Sequence, residues 1–194
     1  MQLDDQSVLE LARRNPDRAF HYLVENYSGM IYNVCLNLVL HREDAEDLTQ
    51  EVFTAAYTSL ENFEGKSKVS TWLYSIALNK SKEFLRAKTR QKRSGIQMSL
   101  DRDDSLWTPT QIINFDHPGV ILENKERAAY FFAALQQLPP AQREAWTLHK
   151  LEGLSYMEVS EILETTVPSV ESLMFRAKKR LQEILGDYFE KKRQ

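Results

Sequence analysis

Cysteine occurs once in the chain, at Cys35 inside the apolar run IYNVCLNLVL, so no intrachain disulfide can form. A lone cysteine in such a run predicts a buried thiol rather than a reactive one, and an intracellular setting. Long apolar runs are missing too. No stretch approaches the roughly 20 residues a membrane span needs, and the N-terminal MQLDDQSVLELARR is acidic and amphipathic, unlike a signal peptide. The expectation is a cytoplasmic chain with no membrane insertion. Histidine is scarce and scattered, at His21, His41, His117 and His149, with no second ligand at metal spacing. The tripeptide GKS at Gly65–Ser67 imitates the end of a phosphate-binding loop, but the leading glycine would fall at position 60, which is Leu60. Neither catalysis nor a cofactor is expected, and no residue is assigned a catalytic or metal-binding role.

What is present is apolar material at helical spacing. Val8, Leu9 and Ala12, then Phe20, Leu23, Val24 and Tyr27, then Ala45, Leu48, Val52, Ala55 and Ala56, then Leu73, Ile76, Ala77 and Phe84 recur with the period of an amphipathic helix. No run alternates convincingly with period two. The predicted fold class is all-α. Ser7 with Glu10 and Ser155 with Glu158 fit the capping box, and Asn15-Pro16 and Pro139-Pro140 mark helix boundaries.

The periodicity fails between about Ser94 and Leu122, where Gly, Pro, Ser and Asp cluster. This segment reads as a linker between a domain at 1–93 and a second at 123–190. It also holds Leu106, Trp107, Ile112, Ile113 and Phe115, which either pack on the flanking domains or dock elsewhere. In the second domain Gly153 can end one helix, Ser155 caps the next, and the short ETT turn precedes a longer helix opened by Pro168. Such a helix, short turn and helix fit a helix-turn-helix, and by periodicity fit an αα-hairpin equally well. Arg176, Lys178, Lys179 and Arg180 on the second helix favour a polyanion.

The formal net charge of −3 conceals a segregation. Residues 1–62 hold four arginines against eleven acidic residues, whereas 63–93 hold nine cations against Glu64 and Glu83. Two different partners are implied, one of them polyanionic. Within DAEDLTQEVF, Asp44, Asp47 and Glu51 fall at i, i+3 and i+7, an exposed acidic stripe if Ala45, Leu48 and Val52 face inward. Complementing the helix dipole would need fewer acids than the five between Glu43 and Glu51. The next basic segment places Asn79, Lys82, Arg86 and Arg90 on one face of a helix capped by Ser70 or Thr71. Cations with an amide suit a nucleic-acid backbone plus a base edge. The loop before it, Glu64 to Val69, offers Lys66 and Lys68 for phosphate. Trp72 is either a plane for an unstacked base or a core aromatic.

Taken together, DAEDLTQEVF, FEGKSKVSTWLYSIALNKSKEFLR and LPPAQREAWTLHKLEGLSYMEVSEIL with VESLMFRAKKRL resemble the hallmark regions of extracytoplasmic-function sigma factors, in the family order and spacing. The resemblance implies an alternative sigma factor: a sigma-2 domain that binds core RNA polymerase and melts the −10 element, a linker, and a sigma-4 domain that reads the −35 element. By position it implies that Asp44, Asp47, Gln50 and Glu51 face the β′ clamp helices. It sends Lys66, Lys68, Trp72, Asn79, Lys82, Arg86 and Arg90 to the −10 strand, and Ser169, Glu171, Ser172, Phe175, Arg176 and Lys179 to the −35 groove. The β flap, promoter DNA and an anti-sigma factor complete the implied partners. Two positions depart from the family pattern. Pro168-Ser169 followed by Glu171 stands where a glycine-threonine pair and a cation are usual, and Glu83 replaces an aspartate. A competing reading, a helix-turn-helix regulator that works without polymerase, leaves the acidic stripe and the basic helix of the first domain unexplained.

Overall fold

The structure, a computed structural model, describes residues 3–93 and 125–191. The segment expected to be a linker, with Trp107 and its apolar neighbours, lies outside the described residues. Every regular element among the described residues is a helix, without strands, and the chain falls into two compact units, one holding the helices up to Arg93 and the other most of the chain from Lys125 onward.

The first unit is built from α1 (Asp5–Arg14), α2 (Pro16–Val39), α3 (Arg42–Ser59), a single 3₁₀ turn (Leu60–Asn62) and α4 (Val69–Arg93). Helix α2 packs against α1, α3 and α4, and α3 packs against α4. Of the positions the apolar periodicity marks, Leu23 of α2, Ala45, Leu48, Val52 and Ala56 of α3, and Leu73 and Ala77 of α4 are buried, whereas Phe20, Val24, Tyr27, Ala55, Ile76 and Phe84 are half-buried; Ile31 and Val34 of α2 complete the core. Cys35 is fully buried among them. Asn15 caps α2, its Oδ1 accepting from Arg18 N at 3.0 Å, and Pro16 takes the first helical position, where a missing N–H is harmless.

Two of the expected caps are elsewhere. Helix α1 is capped by Asp4 rather than Ser7: Asp4 has extended backbone and its carboxylate accepts from Ser7 N at 2.8 Å, so Ser7 already lies inside the first turn. Hydrogen bonding from the Ser7 side chain, and then from its backbone N–H, holds the exposed Asp4 carboxyl below its ordinary range. Helix α4 starts at Val69, which places Ser70 and Thr71 within the helix, Thr71 buried. The cap comes from another helix, with Asp5 Oδ1 accepting from Val69 N at 3.1 Å.

The second unit contains α5 (Lys125–Gln136), α6 (Pro140–Trp146) continued by a π turn (Thr147–Leu151), α7 (Tyr156–Ile162) and α8 (Val167–Lys191). Helix α8 packs against α5 and α6. The guanidinium of Arg143 is buried, donating to Gln136 Oε1 at 2.8 Å, and burial lowers its proton affinity. Gly153, at φ +76, turns the chain after the π turn, and Leu154 N donates to Leu148 O at 3.1 Å. His149 donates from Nδ1 to Leu154 O at 2.7 Å, which closes this corner. Ser155 and Glu158 form the expected capping box: Glu158 Oε2 accepts from Ser155 N at 2.9 Å and Glu158 N donates to Ser155 Oγ at 3.3 Å. Among the described residues, no helix is long and apolar enough to cross a membrane.

Candidate protein and nucleic-acid interfaces

The acidic helix α3 is capped by His41, whose Nδ1 accepts from Asp44 N at 3.3 Å. Burial of Ala45, Leu48, Val52 and Ala56 turns Asp47, Gln50 and Glu51 out to solvent. Asp44 stands apart from them. Its side chain is half-buried, and Lys88 of α4 donates to Asp44 Oδ2 at 3.2 Å, so the first carboxylate of the expected stripe is neutralised from the neighbouring helix. The exposed acidic surface therefore runs from Asp47 to Glu51, with Glu46 tied to Arg42 at 3.0 Å on its flank.

Helix α4 presents the opposite charge. Asn79, Arg86 and Arg90 are exposed and Lys82 half-exposed, and their spacing puts them along one face, away from buried Leu73, Ala77 and Ser81. Lys80 pairs with Glu83 at 3.4 Å beside that stripe. A row of cations around an amide can neutralise successive phosphates and place one donor-acceptor group at a base edge.

The loop that leads into α4 is held closely. The Phe63 and Trp72 rings are stacked with centroids 4.7 Å apart and an interplanar angle of 28°, so one face of Trp72 is covered by protein while the residue as a whole remains half-exposed. Both readings of Trp72 thus describe part of it: one face packs, and the remainder is open. Lys66 and Lys68 are exposed on the loop. Lys66 pairs with Glu64, which holds that carboxyl below its ordinary range and raises the ammonium.

In the second unit, α7 and α8 are separated by a four-residue turn, Leu163 to Thr166, with Glu164 in the left-handed region at φ +50. Thr166 caps α8: its Oγ1 lies 2.9 Å from Ser169 Oγ and accepts from Ser169 N at 3.4 Å. Ser169 is consequently half-buried with its hydroxyl engaged in the cap. Val170, Met174, Ala177 and Leu181 are buried, leaving Glu171, Ser172, Phe175, Arg176 and Lys179 outside. Glu171, Ser172, Phe175 and Arg176 line one open recess. Phe175 is 71% exposed, a large apolar ring turned to solvent. Glu171 is exposed on the first turns of α8, and among the described residues no ion pair holds it. The recess thus offers an acceptor, a hydroxyl, an apolar surface and a cation, the groups that distinguish base edges in a major groove.

Three contacts are absent from the sequence reading: Asp5 at Val69, Lys88 at Asp44, and Thr166 at Ser169. The first two join residues 64 and 44 positions apart. The third had a local signal, a threonine three residues before a serine at a helix start.

The comparisons with known proteins agree with this layout. Residues 23–91 match the family description "Sigma-70 region 2" and residues 128–181 match "Sigma-70, region 4". The chain is 33% identical over 181 residues to the ECF RNA polymerase sigma-E factor of Haemophilus influenzae, covering 93% of this chain and 95% of that one. It is 34% identical over 191 residues to the RNA polymerase sigma-H factor of Pseudomonas aeruginosa, covering 95% of each. The fold is similar to that of the sigma factor RpoE of Bartonella quintana, solved in complex with the anti-sigma factor NepR, with TM-score 0.67, 24% identity, and coverage of 86% of this chain and 96% of that one. It is also similar to CnrH, solved with the cytosolic domain of CnrY, with TM-score 0.66, 22% identity, and coverage of 94% and 97%.

Proposed function

We propose, for a chain that belongs to the extracytoplasmic-function sigma factors of the sigma-70 family and so directs transcription with RNA polymerase, a division of labour among its exposed helix faces. Residues 1–93 bind core polymerase and engage the −10 element, residues 94–122 link the domains, and residues 123–190 read the −35 element. Asp47, Gln50 and Glu51 face the β′ clamp helices, with Asp44 at the edge of that surface and held by Lys88. Lys82, Arg86 and Arg90 position the −10 strand through phosphates, Asn79 and the open part of Trp72 meet bases, and Lys66 and Lys68 approach from the loop. In the second domain Glu171, Ser172, Phe175 and Arg176 reach base edges, Lys179 holds phosphate, and Ser169 fixes the helix start from which they project. The β flap receives this domain in the holoenzyme. The chain carries out no catalysis of its own, and an anti-sigma factor is a fitting regulator, since a sigma factor of the same fold was solved bound to one.

One observation carries this reading: packed helices of a single unit present opposite chemistries, carboxylates with an amide on α3 and cations with an amide on α4. A DNA-binding regulator that worked alone would have no use for the acidic face, which DNA repels. The deciding experiment is reconstitution. The purified chain is expected to co-purify with core polymerase and to direct run-off transcription from promoters selected out of a random library. A chain that binds DNA but neither associates with core nor initiates would refute the reading.

A further inference from the structure

We infer that α1, which carries none of the surfaces assigned above, positions the loop 63–69, so that Asp5 and Leu9 set −10 preference without touching DNA. The loop is pinned at three points. At its start, Phe63 stacks on Trp72. In its middle, Gly65 sits at φ +73 directly over α1: a Cβ at this position would lie 2.9 Å from Leu9 Cδ2, closer than carbon atoms pack. At its end, the Asp5 carboxylate accepts from Val69 N at 3.1 Å and so caps α4, whose first intrahelical bond runs from Trp72 N to Lys68 O. A lysine side chain has no acceptor to offer that helix start, and Asp5 provides one from another helix.

Two of the three pins therefore belong to α1, and α1 is itself fixed. Asp4 caps it, Val8, Leu9 and Ala12 are buried, and Leu3 N donates to the Tyr22 hydroxyl at 2.8 Å on α2. With both backbone anchors set by α1, the directions in which Lys66, Lys68 and Trp72 present themselves follow from where α1 lies. The inference rests on the reading of this loop as a −10 contact.

The test uses holoenzyme reconstituted from core and full-length chain, transcribing a library randomised at −10 with a constant −35. The Lys66→Ala/Lys68→Ala variant examines the loop reading alone and is expected to redistribute −10 usage. Asp5→Ala is expected to alter usage at the same −10 positions by roughly fivefold, the scale of a lost helix cap, with core affinity and −35 preference unchanged. Asp5→Asn keeps an acceptor oxygen and should restore the wild-type pattern. Gly65→Ala should shift −10 usage as well, because at φ +73 a Cβ strains the backbone in addition to meeting Leu9. If the lysine variant redistributes −10 usage while Asp5→Ala and Gly65→Ala do not, α1 is a structural helix only and the inference is overturned. A parallel fall in core affinity, −35 use and −10 use on Asp5→Ala would overturn it equally. If the lysine variant itself is silent, the loop is no −10 contact, and the loop reading falls together with what is built on it.

Discussion

Among single residues, Glu171 and Asp44 carry the sharpest consequences. Glu171 stands exposed where the family usually has a cation, in a recess with Ser172, Phe175 and Arg176. A carboxylate there is repelled by phosphate but can accept from cytosine N4, and a good side-chain-to-base pairing is worth about 1–3 kcal/mol. Glu171→Lys should therefore change which −35 sequences are used; transcription of a randomised −35 library by both proteins checks this, and a uniform rise on all sequences would mean the new cation merely attracts phosphate. Asp44 differs in kind from Asp47, since Lys88 holds the first and solvent surrounds the second. Asp44→Ala should lower stability by about 0.5–1 kcal/mol, the upper part of the range for a partly exposed pair, whereas Asp47→Ala should stay within about 0.5 kcal/mol of wild type. Denaturant titration of the two variants separates them. The helical period puts both on one stripe because 44, 47 and 51 share a helix face. Nothing in the local pattern signals that Lys88, from a helix forty-four positions later, reaches only the first. The cap of α1 escapes the sequence for a more local reason: Asp4 and Ser7 both suit the role, and which one takes it depends on where the backbone turns helical.

Helices as units were legible, because burying one face fixes the other. The apolar period of α3 and α4 predicts which side chains are exposed, and the structure places Asp47, Gln50 and Glu51, and Asn79, Arg86 and Arg90, outside accordingly. The Ser155 capping box and Gly153 were equally readable, since their bonds span only a few residues. The start of α4 was not, because its cap is supplied by α1. Two predictions belong to these faces. Asp47→Lys with Glu51→Lys should weaken binding to core polymerase while leaving helicity intact, because both side chains point to solvent; a core-binding titration alongside circular dichroism checks this. Lys82→Ala or Arg86→Ala should weaken −10 engagement on all promoters by a similar factor. The slope of log affinity against log salt should flatten by about 0.7 per cation removed if the contact is to single-stranded DNA. A loss confined to particular −10 sequences would instead make these residues readers of bases.

Across the whole chain, a net charge of −3 is the sum of an acidic and a basic surface, so the total says little about what is bound. The two-unit organisation was visible as a break in periodicity. Family membership followed from three motifs in order, since each motif alone fits more than one role. The distribution of a single element has a practical consequence at this scale. The only thiol in the protein is Cys35, fully buried in the first unit, and the second has none. A thiol-reactive dye is thereby a one-sided stability gauge. When opening and closing are fast compared with the chemistry, its labelling rate reports how often the first unit opens, and it stays silent about the second. Labelling measured with and without core polymerase would test the proposed contact: binding to the first unit should slow it, free of any signal from the other half of the molecule.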